Sequence, residues 1–172
     1  MSDTLDKLNK ISWFVGIVVK ILMALIVCAI VVVIALAIVA AVNIDFVLDN
    51  VSGLTSGSQV AILAVCVIVI LILMFVILYY IDHFFMNIRK NNTPFNEASV
   101  KDLKILAILT LKLTIAQAVI GAVLAGTIFA SQDLPSVIGF NPLSLFIAGV
   151  IYVLYLVFKY GVDLQKEADE TL

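Results

Sequence analysis

Apolar residues fall along this chain in four long blocks divided by shorter polar intervals. From Ile21 to Val42 no charge occurs, which is enough helix to cross about 30 Å of hydrocarbon. Val60 to Ile81 repeats the pattern and finishes on Tyr79 and Tyr80, an aromatic end of the kind found at membrane interfaces. Ile105 to Ala130 is apolar except for Thr110, Lys112, Thr114, Gln117 and Thr127. Leu143 to Phe158 is shorter, and reaches spanning length when Val137–Phe140 or Tyr160–Val162 is added. The pattern predicts four membrane-spanning helices, at about 14–42, 60–81, 105–130 and 140–160, in a single membrane unit over 1–172. The fold class is all-α, an integral membrane protein forming one compact four-helix bundle.

The polar intervals predict the rest. Residues 1–12 carry Leu5, Leu8 and Ile11 at helical spacing and read as a short amphipathic lead-in lying at the membrane surface, with Trp13 and Phe14 as interfacial aromatics. Residues 43–59 and 131–142 read as loops, and the tail from Asp163 as an acidic, frayed end. The interval 82–104 is the longest between the two apolar halves, and it is the main surface toward water. Within it, Thr93-Pro94-Phe95-Asn96 reads as a turn, because Pro94 lacks a donor and holds Thr93 extended. Asn96 is a good N-cap, and Glu97 follows in the first turn where the helix dipole favours a negative charge. The helix that follows shows Val100, Leu103 and Leu106 as one stripe, with Lys101, Asp102 and Lys104 facing away from it. This predicts an amphipathic surface helix running directly into the third span. Phe95 is expected to anchor it at the interface, packing near Ser99 or Val100 as a hydrophobic staple.

Composition agrees with lipid as the main solvent, since 64% of the residues are hydrophobic and the mean hydropathy is +1.23. A net charge of −2 and the lack of a dense basic run argue against nucleic-acid binding. The first apolar run is too long for a signal peptide's h-region and is expected to remain as a span. In a four-span topology all ten Lys and Arg residues fall on one side. The opposite loops hold Asp45, Asp49 and Asp133 and no basic residue. The positive-inside rule therefore places both termini and the 82–104 segment in the cytoplasm.

Candidate chemistry is sparse. Cys28 and Cys66 lie at depths that differ by about 10 Å along the spans, beyond the roughly 7 Å Cα limit of a disulfide, and read as small packing residues. Lys112 and Gln117 are the polar groups deepest in the third span. One reading makes them part of a substrate or proton path. The other has Lys112 snorkel or pair with Asp82 or Asp163, and Gln117 hydrogen-bond another helix. No intramembrane carboxylate accompanies Lys112, which favours the second. Gly121/Ala125, Ala122/Gly126 and Ala37/Ala41 are small-residue pairs suited to close packing within the bundle, with dimerisation the lesser reading. His83 beside Asp82 has no third ligand in sequence reach and reads as an interfacial residue. No nucleophile–base–orienter set, phosphate loop or His/Cys cluster is present, so no catalytic residue, cofactor site or metal site is assigned.

The run Arg89-Lys90-Asn91-Asn92-Thr93-Pro94-Phe95, followed by Val100-Lys101-Asp102-Leu103-Lys104, resembles the YoaS-like family of bacterial four-span membrane proteins, a domain of unknown function. Here Ser99-Val100 stands where Asn-Val is common in that family. The resemblance covers essentially the whole chain. It implies a multi-pass protein of the bacterial inner membrane and, by genetic association of family members, a partner among small helix-turn-helix transcription regulators. It carries no catalytic or ligand residues. The reading is then a non-enzymatic membrane protein that tethers or senses for such a cytoplasmic partner through Arg89, Lys90, Thr93, Pro94, Phe95, Lys101 and Lys104. The alternative is a small transporter, exporter or immunity-type protein working through Lys112 and Gln117.

Overall fold

The computed structural model describes residues 2–45, 56–91, 93, 95–127 and 142–170. They form four long helices: α1 (Ser2–Val42), α2 (Gly57–Asn91), α3 (Glu97–Thr127) and α4 (Pro142–Glu170). Each is long and apolar enough to cross a membrane, which establishes the four-helix, all-α character of the chain. The helices exceed the hydrocarbon they have to cross. The 41 residues of α1 extend about 60 Å, twice the roughly 30 Å of a bilayer core, and the 35 of α2 about 52 Å.

The surplus length gathers at one end. Lys20 of α1 lies 3.9 Å from Asp82 of α2, His83 of α2 is 2.8 Å from Asp102 of α3, and Lys166 of α4 is 2.6 Å from Glu97 of α3. All neighbours are thus antiparallel, with their charged ends side by side. At the far end the Gln59 amide donates to the carbonyl of Thr127 at 2.9 Å, occupying one of the acceptors that the last turn of α3 leaves open.

Three expectations about this end change. The lead-in is not a separate surface helix, because α1 runs without interruption from Ser2. Residues 82–91 are the last turns of α2, so the central polar segment is two helix ends joined by a short turn. The tail stays helical through Glu170. The reason is common to all three. A helix emerging from lipid keeps its hydrogen bonds, and side-chain packing against neighbours prolongs it beyond the point where hydropathy falls.

Packing is serial. α1 lies against α2, α2 against α3 and α3 against α4, with no comparable seam between α1 and α4. The compact bundle expected from the four spans is therefore an open row, whose outer helices present apolar faces along their length. α1 meets α2 through small or β-branched positions, Ser12, Gly16, Val19 and Ala40. α3, flanked on both sides, carries the most buried positions, and its Ile120 and Leu124 pack with Ile62, Leu63, Cys66 and Ile70 of α2. Thr110 and Thr114 are buried in it at little cost, since their hydroxyls donate to the carbonyls of Leu106 and Thr110 in the turn before. Of the small-residue pairs, Gly121 faces inward, whereas Gly126 has nothing within 4 Å of the space a Cβ would take. Cys28 and Cys66 are free thiols.

Candidate functional site

The end of α2, Asp82 to Asn91, offers different faces to its two neighbours. Asp82 and Arg89, seven residues apart, turn toward α1. His83 and Asn87, four apart, turn toward α3. On the α3 side the convergent residue is Asp102, only 3% exposed. Its Oδ2 accepts from Asn87 Nδ2 at 2.7 Å and lies 2.8 Å from His83 Nδ1. Asn87 Nδ2 also lies 3.1 Å from His83 Nδ1, so the three side chains form a triangle around the shared oxygen. Asp102 was expected to face away from the apolar stripe. It faces inward together with Leu103 and Leu106 of that stripe, because α3 is buried over a wide face that also takes in Ser99, Ala107 and Thr110 and so mixes polar and apolar positions. A buried carboxylate is tolerated only with donors of this kind. The imidazole keeps 37% of its side-chain surface. It borders an open cleft of about 320 Å³ that is also lined by Tyr79, Tyr80, Ala98, Lys101 and Ile105.

Beyond this clamp the described residues between α2 and α3 bond among themselves. The amide of Asn91 donates to Asn87 O at 2.9 Å, and Phe95 N–H donates to Thr93 Oγ1 at 3.2 Å. Asn96 is the N-cap predicted for α3: its Oδ1 accepts from Ser99 N–H at 2.8 Å, and its amide donates to Thr93 O and Ser99 Oγ, both at 2.9 Å. Phe95 does not staple back onto α3. Its ring packs 5.2 Å from that of Phe158 on α4, itself 6.0 Å from Phe84 of α2, and fills the groove left by Gly161. Glu97, in the first turn of α3, is held by Lys166 Nζ at 2.6 Å. That hydrogen bond, reinforced by the lysine's charge, lowers the Glu97 carboxyl and raises the Lys166 ammonium from their ordinary values.

On the α1 side, Ser12 is fully buried, and a Cβ on Gly16 would sit 3.3 Å from Asp82 Oδ1 and 3.6 Å from Arg89 Nη2. The small residues let α1 approach the charged face of α2. Ser12 Oγ, Asp82 Oδ1 and Arg89 Nε are buried there without a hydrogen-bond partner among the described residues.

The residues singled out from the sequence therefore disperse. Arg89 is drawn in against α1, Lys90 is exposed, Thr93 is committed to its turn, Phe95 is packed on α4, and Pro94 lies outside the described residues. Lys101 and Lys104 are exposed and line a cleft between α3 and α4. Lys112 is exposed and makes no ion pair among the described residues, whereas Asp82 faces Lys20. Gln117 is half-buried, and its Oε1 finds no partner among the described residues. No group of three His, Cys, Asp or Glu side chains converges among the described residues. The clamp formed by His83, Asn87 and Asp102 was missed. The signal available for it was the line 99, 102, 106, 110 along α3, which shares one face just as the chosen stripe does.

Compared with known proteins, residues 55–172 match the DUF2975 family, described as a protein of unknown function. The match takes in α2, α3 and α4 and so the whole clamp. No curated protein and no solved structure matches the chain.

Proposed function

This chain belongs to the DUF2975 family, and we propose that it is a non-enzymatic, multi-pass membrane protein whose charged end holds a soluble partner in the cytoplasm. The observation that carries the reading is the hairpin tip between α2 and α3. Asp102 pins it from within, Phe95 pins it to α4, and Asn96 caps it. A tip fixed on both sides is pre-organised for recognition, since little conformational freedom is left to lose on binding. Lys90, Asn91 and Glu97, all exposed, make the contact surface. Arg89 and Phe95 support it from behind.

The finer assignment follows the motif and charge pattern. With the basic ends on the cytoplasmic side, both termini are inside. The resemblance of the Arg89–Lys104 run to the YoaS-like family supports a bacterial inner membrane as the location and makes a helix-turn-helix regulator the partner to test first. A photoreactive residue replacing Lys90 in native membranes, with a second at lipid-facing Val65, tests this directly. Capture of a DNA-binding protein at 90 and not at 65 is the expected result. Absence of any soluble protein at 90 rejects the reading.

A further inference from the structure

The cleft between α3 and α4 at the charged end carries more positive charge than the helix pairing uses. It is an open cleft of about 320 Å³, lined by Lys101 and Lys104 of α3 and by Tyr155, Lys159 and Lys166 of α4, with Glu97 and Asp163 as the acids. Lys166 is spent on Glu97 at 2.6 Å. Asp163 is the other carboxylate of the lining, and Lys101, Lys104 and Lys159 make no ion pair among the described residues. Among the residues lining the cleft, four lysines against two acids leave a surplus of two positive charges.

Position gives that surplus a meaning. Lys104 is the last charge before the apolar run that starts at Ile105, and Lys159 directly follows Phe158 at the end of the apolar run of α4. The cleft thus lies at the level where lipid headgroups meet the hydrocarbon boundary. Its floor is apolar, formed by Val100 and the buried Val162, and Tyr155 sits one helical turn inward of Lys159 with a hydroxyl able to donate. We infer that this cleft binds the phosphate of an anionic phospholipid headgroup. Lys101, Lys104 and Lys159 act as point charges on the phosphodiester, and the acyl chains run down the exposed apolar face of α4. A free phosphate ion presents the same chemistry, so the test separates the two sources.

The full-length protein, purified in detergent, is to be analysed by native mass spectrometry with added phosphatidylglycerol or phosphatidylcholine. The expected result is retention of phosphatidylglycerol over phosphatidylcholine. The Lys101→Gln/Lys159→Gln double variant is expected to lose about fivefold or more of that retention. Lys101→Arg/Lys159→Arg should keep it, and so should Lys10→Gln/Lys90→Gln, which removes equal charge outside the cleft. Equal retention of both lipids overturns the inference. An equal loss in the two Gln double variants does so as well. Displacement of the lipid by millimolar inorganic phosphate overturns the lipid assignment and gives the cleft to a soluble phosphate. Should the Gln variant fold poorly, Lys104→Gln alone is measured against the same outcomes.

Discussion

The ring of Phe95 occupies the space that a side chain at Gly161 would need: a Cβ built on Gly161 would meet Phe95 Cδ1 at 2.6 Å and Cε1 at 2.9 Å. Glycine at 161 is therefore what lets the α2–α3 turn dock on α4. Gly161→Ala is expected to push the ring off Phe158 and to destabilise the protein by about 1–3 kcal/mol, the usual range for overpacking. Phe95→Ala should cost stability by losing the aromatic contact. In the double variant the two losses should not add, because the clash is absent once the ring is gone. Thermal melting of the four proteins in detergent checks this, and additive losses would refute the contact.

Asp102 supplies the second anchor. Asp102→Ala leaves Asn87 and His83 without their shared acceptor, and a loss of about 1–3 kcal/mol is expected for stranding the buried Asn87 amide. Asp102→Asn retains an oxygen for Asn87 and should lie between the wild type and the alanine variant. Lys104→Ala, on the exposed side of the same helix, is the control. If Asp102→Ala melted with that control, the clamp would have no structural weight.

The α1–α2 seam makes an opposite pair of predictions. Ser12 is buried with an unpartnered hydroxyl, so Ser12→Ala removes a desolvation cost and should be neutral or stabilising by up to about 1 kcal/mol. Gly16→Leu places a bulky group where Asp82 and Arg89 already stand within 4 Å and should separate α1 from the charged end of α2. Faster proteolysis of the first turns of α1 in Gly16→Leu, with Ser12→Ala unchanged, is the expected outcome.

The Glu97–Lys166 pair sets a pH dependence whose sign is determined. The carboxyl is lowered by Lys166, so the pair's contribution is present above the ordinary value of 4.5 and fades as pH falls through the lowered one. The ammonium is raised by Glu97, so the contribution is complete below 10.5 and is lost as pH climbs through the raised value. Both groups are exposed, which keeps the effect small and salt-sensitive. The melting temperature of the wild type should exceed that of Glu97→Gln by a constant small margin through neutral pH, and the margin should close in acid. A margin that widened in acid would contradict the pairing.

Much of this architecture is local in origin and can be read from the chain by itself. Uncharged runs such as Ile21–Val42 and Val60–Ile81 demand helices, because lipid offers no partner to a free backbone group. Asn96 and Glu97 announce the start of α3, since capping is settled within one turn. The gathering of basic residues at one end needs only the count of spans. What the sequence leaves open is how each helix is rotated about its axis and which neighbour it meets. Leu103 was legible as an inward position, but that its neighbour Asp102 is buried as well depended on α2 supplying Asn87 and His83 as partners. Whether Phe95 would fold back on its own helix or cross to α4 depended on a missing Cβ at Gly161, far along the chain. The serial row in place of a closed bundle is likewise a tertiary outcome. In lipid an apolar helix face has no need of a protein neighbour, and hydropathy is silent on whether α1 meets one helix or two.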